Sequence, residues 1–221
     1  MPDDEDATGK KGGIYIMYTC AHCKIHSCKT GNLETMPGNC PCGEDQDAAR
    51  AAYKDELTAK LAYQAACVEA EGYCEKTRLE ETIDFAQKCG FKKLGLAFCL
   101  GLAKEAGIVT KILEHNGFEV QSVICKNGSI PKEFLSLEEC QKIRPGTYEP
   151  MCNPIGQAML LNREGTELNI VMGLCVGHDS MFIKHSEAPI TVFAVKDRVL
   201  AHNPLGAVYL SDGYYKKKLY K

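Results

Sequence analysis

Near the start of the chain Cys20, Cys23 and Cys28 are closely spaced, and Cys40 and Cys42 follow them. Cys20-x-x-Cys23 is a spacing at which two thiolates grip one metal ion, and a third and fourth cysteine complete a tetrahedral sulfur shell. Zinc and a 4Fe-4S cluster both meet that description. Three close cysteines and one remote one, with Pro41 directly after Cys40, follow the pattern of iron-sulfur ligation, which places a cluster ahead of zinc. The expected ligands are Cys20, Cys23, Cys28 and Cys40, with Cys42 as the substitute for the fourth. His22 and His26 stand in a lysine-bearing loop and are read as solvated.

A second set emerges when two halves of the later chain are laid side by side. The first runs Gly95-Leu96-Ala97-Phe98-Cys99-Leu100-Gly101 and later Cys152-Asn153-Pro154-Ile155-Gly156. The second runs Val171-Met172-Gly173-Leu174-Cys175-Val176-Gly177 and later His202-Asn203-Pro204-Leu205-Gly206. Each half is a strand, Cys-x-Gly, a helix, a strand, and then a ligand-type residue before Asn-Pro-x-Gly, which marks a pseudo-repeat. Cys99 and Cys175 fall at the carboxyl ends of strands, the edge where open α/β sheets bind ligands. Asn153 and Asn203 read as N-caps followed by proline at the first helical position. Cys152 and His202 then precede helix N-termini, whose dipole favours a thiolate. If the first and third strands are neighbours, Cys99, Cys152, Cys175 and His202 converge, with Cys125 and His178 at the rim, on a site for a soft metal, a cluster or a substrate. The competing reading makes Cys99 and Cys175 small buried apolar residues. Cys67, Cys74, Cys89 and Cys140 are read as structural.

The elements that must position these residues follow from the pattern along the chain. Residues 1–13 read as an acidic, Gly/Lys-rich disordered leader, with a short apolar run from Ile14 to Tyr18 opening the cysteine-rich module, 14–43. That module is too poor in apolar residues to build a core, so a ligand must order it. Residues 44–90 carry a helical pattern broken at Gly72, with a second helix over Thr77 to Lys88 ending at Gly90. Residues 91–221 alternate: strands at 94–98, 118–124, 168–174 and 190–195, and helices at 102–115, 154–162, 178–185 and from Pro204 onward. This predicts an α/β fold, a small four-stranded, mostly parallel sheet with flanking helices, built from two pseudo-repeated βαβ halves.

Composition narrows the function. Hydrophobic residues at 45% and charged residues at 25% are those of an ordinary globular protein. The net charge of -3 leaves no basic footprint for nucleic acid, and Lys216, Lys217, Lys218 and Lys221 read as a solvated tail. No apolar signal region or membrane-length stretch is present, so the expectation is a cytoplasmic protein in a reducing compartment, its 13 cysteines kept as thiols or thiolates. Neither G-x-G-x-x-G nor a phosphate-loop motif follows a strand, and no G-x-S-x-G elbow occurs.

The strings Cys20-Ala21-His22-Cys23 with Cys28 and Asn39-Cys40-Pro41, Gly95 to Cys99, Met151 to Pro154, Gly173 to Asp179, Val195 to Val199 and His202-Asn203-Pro204 resemble an uncharacterised, cysteine-rich family of archaea and anaerobic bacteria. It is a domain of unknown function regarded as metal-binding, and the resemblance covers nearly everything after the leader. It implies metal binding and names no reaction. The first expectation is therefore a redox or electron-transfer protein, with a cluster on the N-terminal module relaying electrons to a second centre in the α/β crevice and a redox partner protein. A second is an enzyme using the crevice thiolate or metal, with Asp179, Lys196 and Asp197 as polar helpers. A third is a zinc-based metal-handling or sensing protein.

Overall fold

The computed structural model describes residues 17–221. The leader and the run from Ile14 to Ile16 lie outside them. The chain divides into two compact units, Met1–Ala62 and Tyr63–Lys221, so the division falls inside the helical segment expected over 44–90.

In the first unit, short helical turns at Cys20–His22, Leu33–Thr35 and Pro41–Gly43 join α1 (Ser27–Thr30) and α2 (Asp47–Ala52). Among its described residues only Ser27 is buried. What holds the segment is polar and local: Asn39 Nδ2 donates to Met17 O and Thr19 Oγ1, both at 2.9 Å, and the Ser27 and Thr35 hydroxyls lie 3.0 Å apart. A handful of exposed hydrogen bonds contributes little net stability.

The helix α3 (Glu56–Gly72) carries the chain from the first unit into the second. It stops where the sequence predicts, and α4 (Arg78–Lys88) starts with a capping box: Glu80 N–H donates to the Thr77 side chain, and the Glu80 carboxylate accepts from Thr77 N–H. Gly90 at φ +73° closes α4.

The sheet of the second unit is fully parallel, in the order β2-β1-β3-β4, with β1 Lys93–Phe98, β2 Glu119–Ile124, β3 Leu168–Leu174 and β4 Ile190–Val195. Every residue of β3 and the middle of β1 are buried, whereas the outer strands are half-exposed. This explains why the central strands read as near-continuous apolar runs. The helix α5 (Ala103–His115) joins β1 to β2, α6 (Pro154–Arg163) returns from β2 to β3, and α7 (His178–His185) joins β3 to β4. Right-handed crossovers leaving the centre in opposite directions put α5 and α7 on opposite faces, and the returning α6 on the face of α7. Accordingly α6 and α7 pack on each other, while α5 packs on β1 and β2.

Two departures are informative. Residue 169, the second of the most buried strand, is Asn. Its side chain accepts from Thr166 Oγ1 and donates to Ser186 Oγ, both at 2.8 Å, so burial leaves it satisfied. It fits because its β1 register partner is Gly95, where a Cβ would stand 2.0 Å from Asn169 Oδ1. The second departure is the C-terminal helix expected from Pro204 onward. Only α8 (Leu205–Tyr209) and α9 (Lys216–Leu219) form, because Asn203 makes no side-chain cap and Ala201 and His202 take positive φ, +50° and +67°.

Candidate functional site

Strands β1 and β3 are neighbours, and their connections leave in opposite directions, so the gap beyond their carboxyl ends is the sheet's topological switch point. Cys99 follows β1, held by its N–H to Met172 O at 3.1 Å, and Cys125 follows β2, held by its N–H to Phe98 O at 2.9 Å. The β1–β2 register ends at Phe98 opposite Ile124, so these two cysteines come out of the sheet side by side. Cys152 arrives from another direction. Asn153 N–H donates to Cys125 O at 2.8 Å, the Asn153 side chain caps α6 by accepting from Gly156 N–H at 2.9 Å, and Asn153 Nδ2 donates to Asn127 Oδ1 at 3.1 Å. Gly156 accounts for the fourth position of the Asn-Pro-x-Gly motif, since a Cβ there would meet both the Asn127 and the Asn153 side chains at 2.3 Å. Buried Gln157 completes the brace, its Nε2 donating to Phe98 O at 3.2 Å and Val123 O at 2.6 Å, directly behind Cys99 and Cys125.

These braces set three sulfurs together, with Cys125 in the middle. The Cys125 thiol faces Cys152 and Cys99, and its sulfur also accepts from Leu100 N–H at 3.3 Å. A thiolate on each side, together with burial, pushes the Cys125 thiol up, so it stays protonated and donates to its neighbours. Cys99 moves the opposite way, to about 5, held down by the Cys125 thiol, the Gly101 N–H and the Lys196 ammonium. Cys152 falls to about 4 through the Cys125 thiol, the His178 imidazole and the Lys126 ammonium. His178 is raised in return by the Cys152 thiolate. The arrangement is a thiolate, a thiol and a thiolate, with cationic groups against the two outer sulfurs.

Lys196 reaches Cys99 across two glycines. A Cβ at Gly101 or at Gly173 would lie 3.5 Å from Lys196 Nζ. Gly173 has φ +68° and lies where the β3–β4 register slips, a bulge that any side chain would strain, and a Cβ there would also meet Leu102 Cδ1 at 2.3 Å. Cys175, two residues on, accepts from Arg198 Nη2 at 3.1 Å. Together Cys99, Cys125, Cys152, Cys175, His178, Lys126, Lys196 and Arg198 line one cavity of about 770 Å³. Its other wall is apolar and comes from the long loop 126–151, closed on itself by the bridge between Pro131 and Pro150 and by an ion pair between Lys132 and Glu149.

His202 lies apart from the other candidate residues. Its Nδ1 stands 3.2 Å from both Asp197 N and Val195 O, and His202 does not line the cavity. With φ +67° it serves the turn after β4, whereas its pseudo-repeat counterpart Cys152 reaches the site. Cys125 belongs at the centre rather than the rim. Arg198 and Lys126 carry no strong mark in the sequence, because a single cation after a strand looks like a solvated surface charge. The faint signal was Cys125-Lys126, a cation beside a ligand-type residue at a strand end.

In the first unit Cys20, Cys23 and Cys40 line a smaller cavity of about 320 Å³. His26 N–H lies 3.5 Å from Cys23 Sγ, and the N–H groups of His26 and Ile25 hold the Cys23 thiol below its ordinary value. Cys42 is raised chiefly by its hydrogen bond with Cys40, with Cys28 and Cys20 also near enough to act on it by charge. Chemically this donor set suits a thiolate-bound metal. Among the described residues, no three His, Cys, Asp or Glu side chains are disposed around one point so as to hold a metal ion. None of the thirteen cysteines, all of them among the described residues, is joined in a disulfide.

Residues 40–193 match the family described as a protein of unknown function, DUF1847. The chain belongs to this family. An archaeal relative, the uncharacterized protein MJ0455 of Methanocaldococcus jannaschii, is 47% identical over 201 residues, which cover 90% of this chain and 97% of the relative. The family match takes in Cys40, Cys99, Cys125, Cys152, Cys175 and His178, and leaves Cys20, Cys23, Cys28, Lys196, Arg198 and His202 outside it.

Proposed function

We propose that the chain is a cytoplasmic redox protein with two thiolate sites. One is a metal centre on the N-terminal module, held by Cys20, Cys23, Cys28 and Cys40 or Cys42, iron-sulfur before zinc. The other is a reactive-cysteine crevice in the α/β unit. The observation that carries the reading is the row Cys99, Cys125, Cys152, drawn from three separate segments to one switch point, with Lys196 against one end and His178 against the other. A buried cysteine serving only as packing has no use for such partners, and a thiol becomes a nucleophile, reductant or soft ligand by being held as thiolate. Among the described residues no helix is long and apolar enough to cross a membrane.

The metal half rests on the module's five cysteines and on its having one buried residue, Ser27, among those described. A bound iron-sulfur cluster would supply one-electron chemistry there, and zinc would supply structure alone. Elemental analysis and absorption spectra of the full chain, purified without oxygen, test it. Iron with acid-labile sulfide and a brown chromophore, lost in Cys20→Ser with Cys23→Ser, is the expected result. Stoichiometric zinc supports the metal-handling reading, and a metal-free chain that is folded over 17–43 refutes the metal half altogether.

A further inference from the structure

The crevice offers more than reactive sulfur: its shape and charge specify what would react there. Lys126, Lys196 and Arg198 turn toward the cavity from the loop after β2 and the segment after β4. Among the described residues none of the three has a carboxylate at ion-pair distance, whereas Lys132 and Lys142 at the same loop are satisfied by Glu149 and by Glu133 with Glu139. Lys196 and Arg198 lie against the Cys99 and Cys175 sulfurs and Lys126 Nζ donates to Pro150 O at 2.6 Å, yet the three cations outnumber the two thiolates of the row, and that surplus of positive charge in a half-closed cavity attracts an anion. The opposite wall is apolar, and several of its side chains stand open to solvent: Phe134 is 72% exposed and Ile143 80%. Apolar area left uncovered beside a concave polar site is the usual form of a small-molecule pocket. The occupant this describes is an anion with an apolar body, and the volume of about 770 Å³ admits one of moderate size.

The sulfur row limits the chemistry. Cys125 is buried and fixed by the strand ladder, while Cys152 is only partly buried and stands at a loop-to-helix junction, its backbone joined to Cys125 through the Asn153 N–H. A partly exposed sulfur with a second one behind it is the arrangement for attack followed by resolution.

Building on the crevice reading above, we propose that this site exchanges thiol for disulfide with an anionic organic disulfide bearing an apolar body, Cys152 attacking and Cys125 resolving. The Cys152 thiolate attacks one substrate sulfur, the substrate S–S bond breaks, and the first leaving thiolate departs and takes a proton from solvent. Cys125 then gives its proton to the Cys99 thiolate and attacks the Cys152 sulfur, forming the Cys125–Cys152 disulfide and expelling the second thiolate. Two electrons pass from the protein to the substrate, which leaves as two thiol-level products. Lys196 and Arg198 position the anionic end, and the loop 126–151 covers the apolar body.

The full chain, kept free of oxygen, is treated with dithionitrobenzoate, a dianionic aromatic disulfide, or with dithiodipyridine, a neutral one, and its cysteine linkages are mapped by peptide mass spectrometry. The expected result is a Cys125–Cys152 linkage with the anionic probe. The anionic-to-neutral rate ratio at Cys152 should be about tenfold above that of a free cysteine derivative. Lys196→Gln with Arg198→Gln should return the ratio to that of the free derivative, and Lys196→Arg with Arg198→Lys should preserve it. Cys125→Ser should stop at a mixed disulfide on Cys152. Absence of the linkage with both probes overturns the exchange, and a linkage without anion preference overturns the substrate class. Iodoacetamide applied to the reduced chain before any disulfide probe is added separates these failures from that of the reading beneath them. If Cys152 is still alkylated at pH 6 the thiolate site stands, and if it is inert there the crevice reading falls as well.

Discussion

The surroundings of Cys152 hold its thiol down to about 4: a buried thiol that donates to it, an imidazole and an ammonium. Replacing His178 with Gln removes one of these. The pH at which Cys152 becomes half alkylated should rise by about one unit, roughly a tenfold rate loss in the acid range. Lys196→Gln should do the same at Cys99 and leave Cys152 little changed, since Lys196 acts on the other end of the row. A pH profile of peptide-resolved alkylation reads both. Much of this site was legible in the sequence, because Cys-x-Gly and Asn-Pro-x-Gly repeat and strand ends are where α/β folds place ligands. What was hidden depends on pairing. Only the β1–β2 register puts Cys125 beside Cys99, and only the β3–β4 bulge brings Lys196 over Gly101 and Gly173.

At the scale of elements, the junction of the β2 exit loop with α6 fixes the sulfur row. Asn153→Ala deletes the α6 cap and its bond to Asn127, and should cost about 1 kcal/mol, with a range of roughly 0.5 to 2. Gly95→Ala drives a methyl into Asn169 on the adjacent strand and should cost more, on the order of 1–3 kcal/mol. Thermal melts check both, with each kcal/mol worth about 2–4 °C for a unit of this size. The strands and α5 to α7 were readable because buried parallel strands carry unbroken apolar runs and Asn-Pro marks the start of α6. The same Asn-Pro misled at Asn203. There the residue before it, His202, is held at positive φ by the turn from Asp197, so the pattern recurs without the cap. Local sequence repeats; tertiary context decides whether each copy makes a helix.

For the whole molecule, the two units differ in what holds them. The second has a buried sheet core, and the first has one buried residue among those described. If metal orders the first unit, chelation should abolish amide-exchange protection over 17–43 and leave β1 and β3 protected. Loss of protection in β1 and β3 as well would show that the metal supports the sheet instead.

Peptide-resolved alkylation of Cys152 by iodoacetamide between pH 8 and pH 6 tests the central claim most directly. A thiol titrating near 8.5 slows by a factor on the order of 100 over that interval. With its thiolate held at about 4, Cys152 should keep its rate within about twofold. A hundredfold fall at Cys152 would contradict the account, leaving the crevice cysteines as ordinary thiols packed at a strand edge.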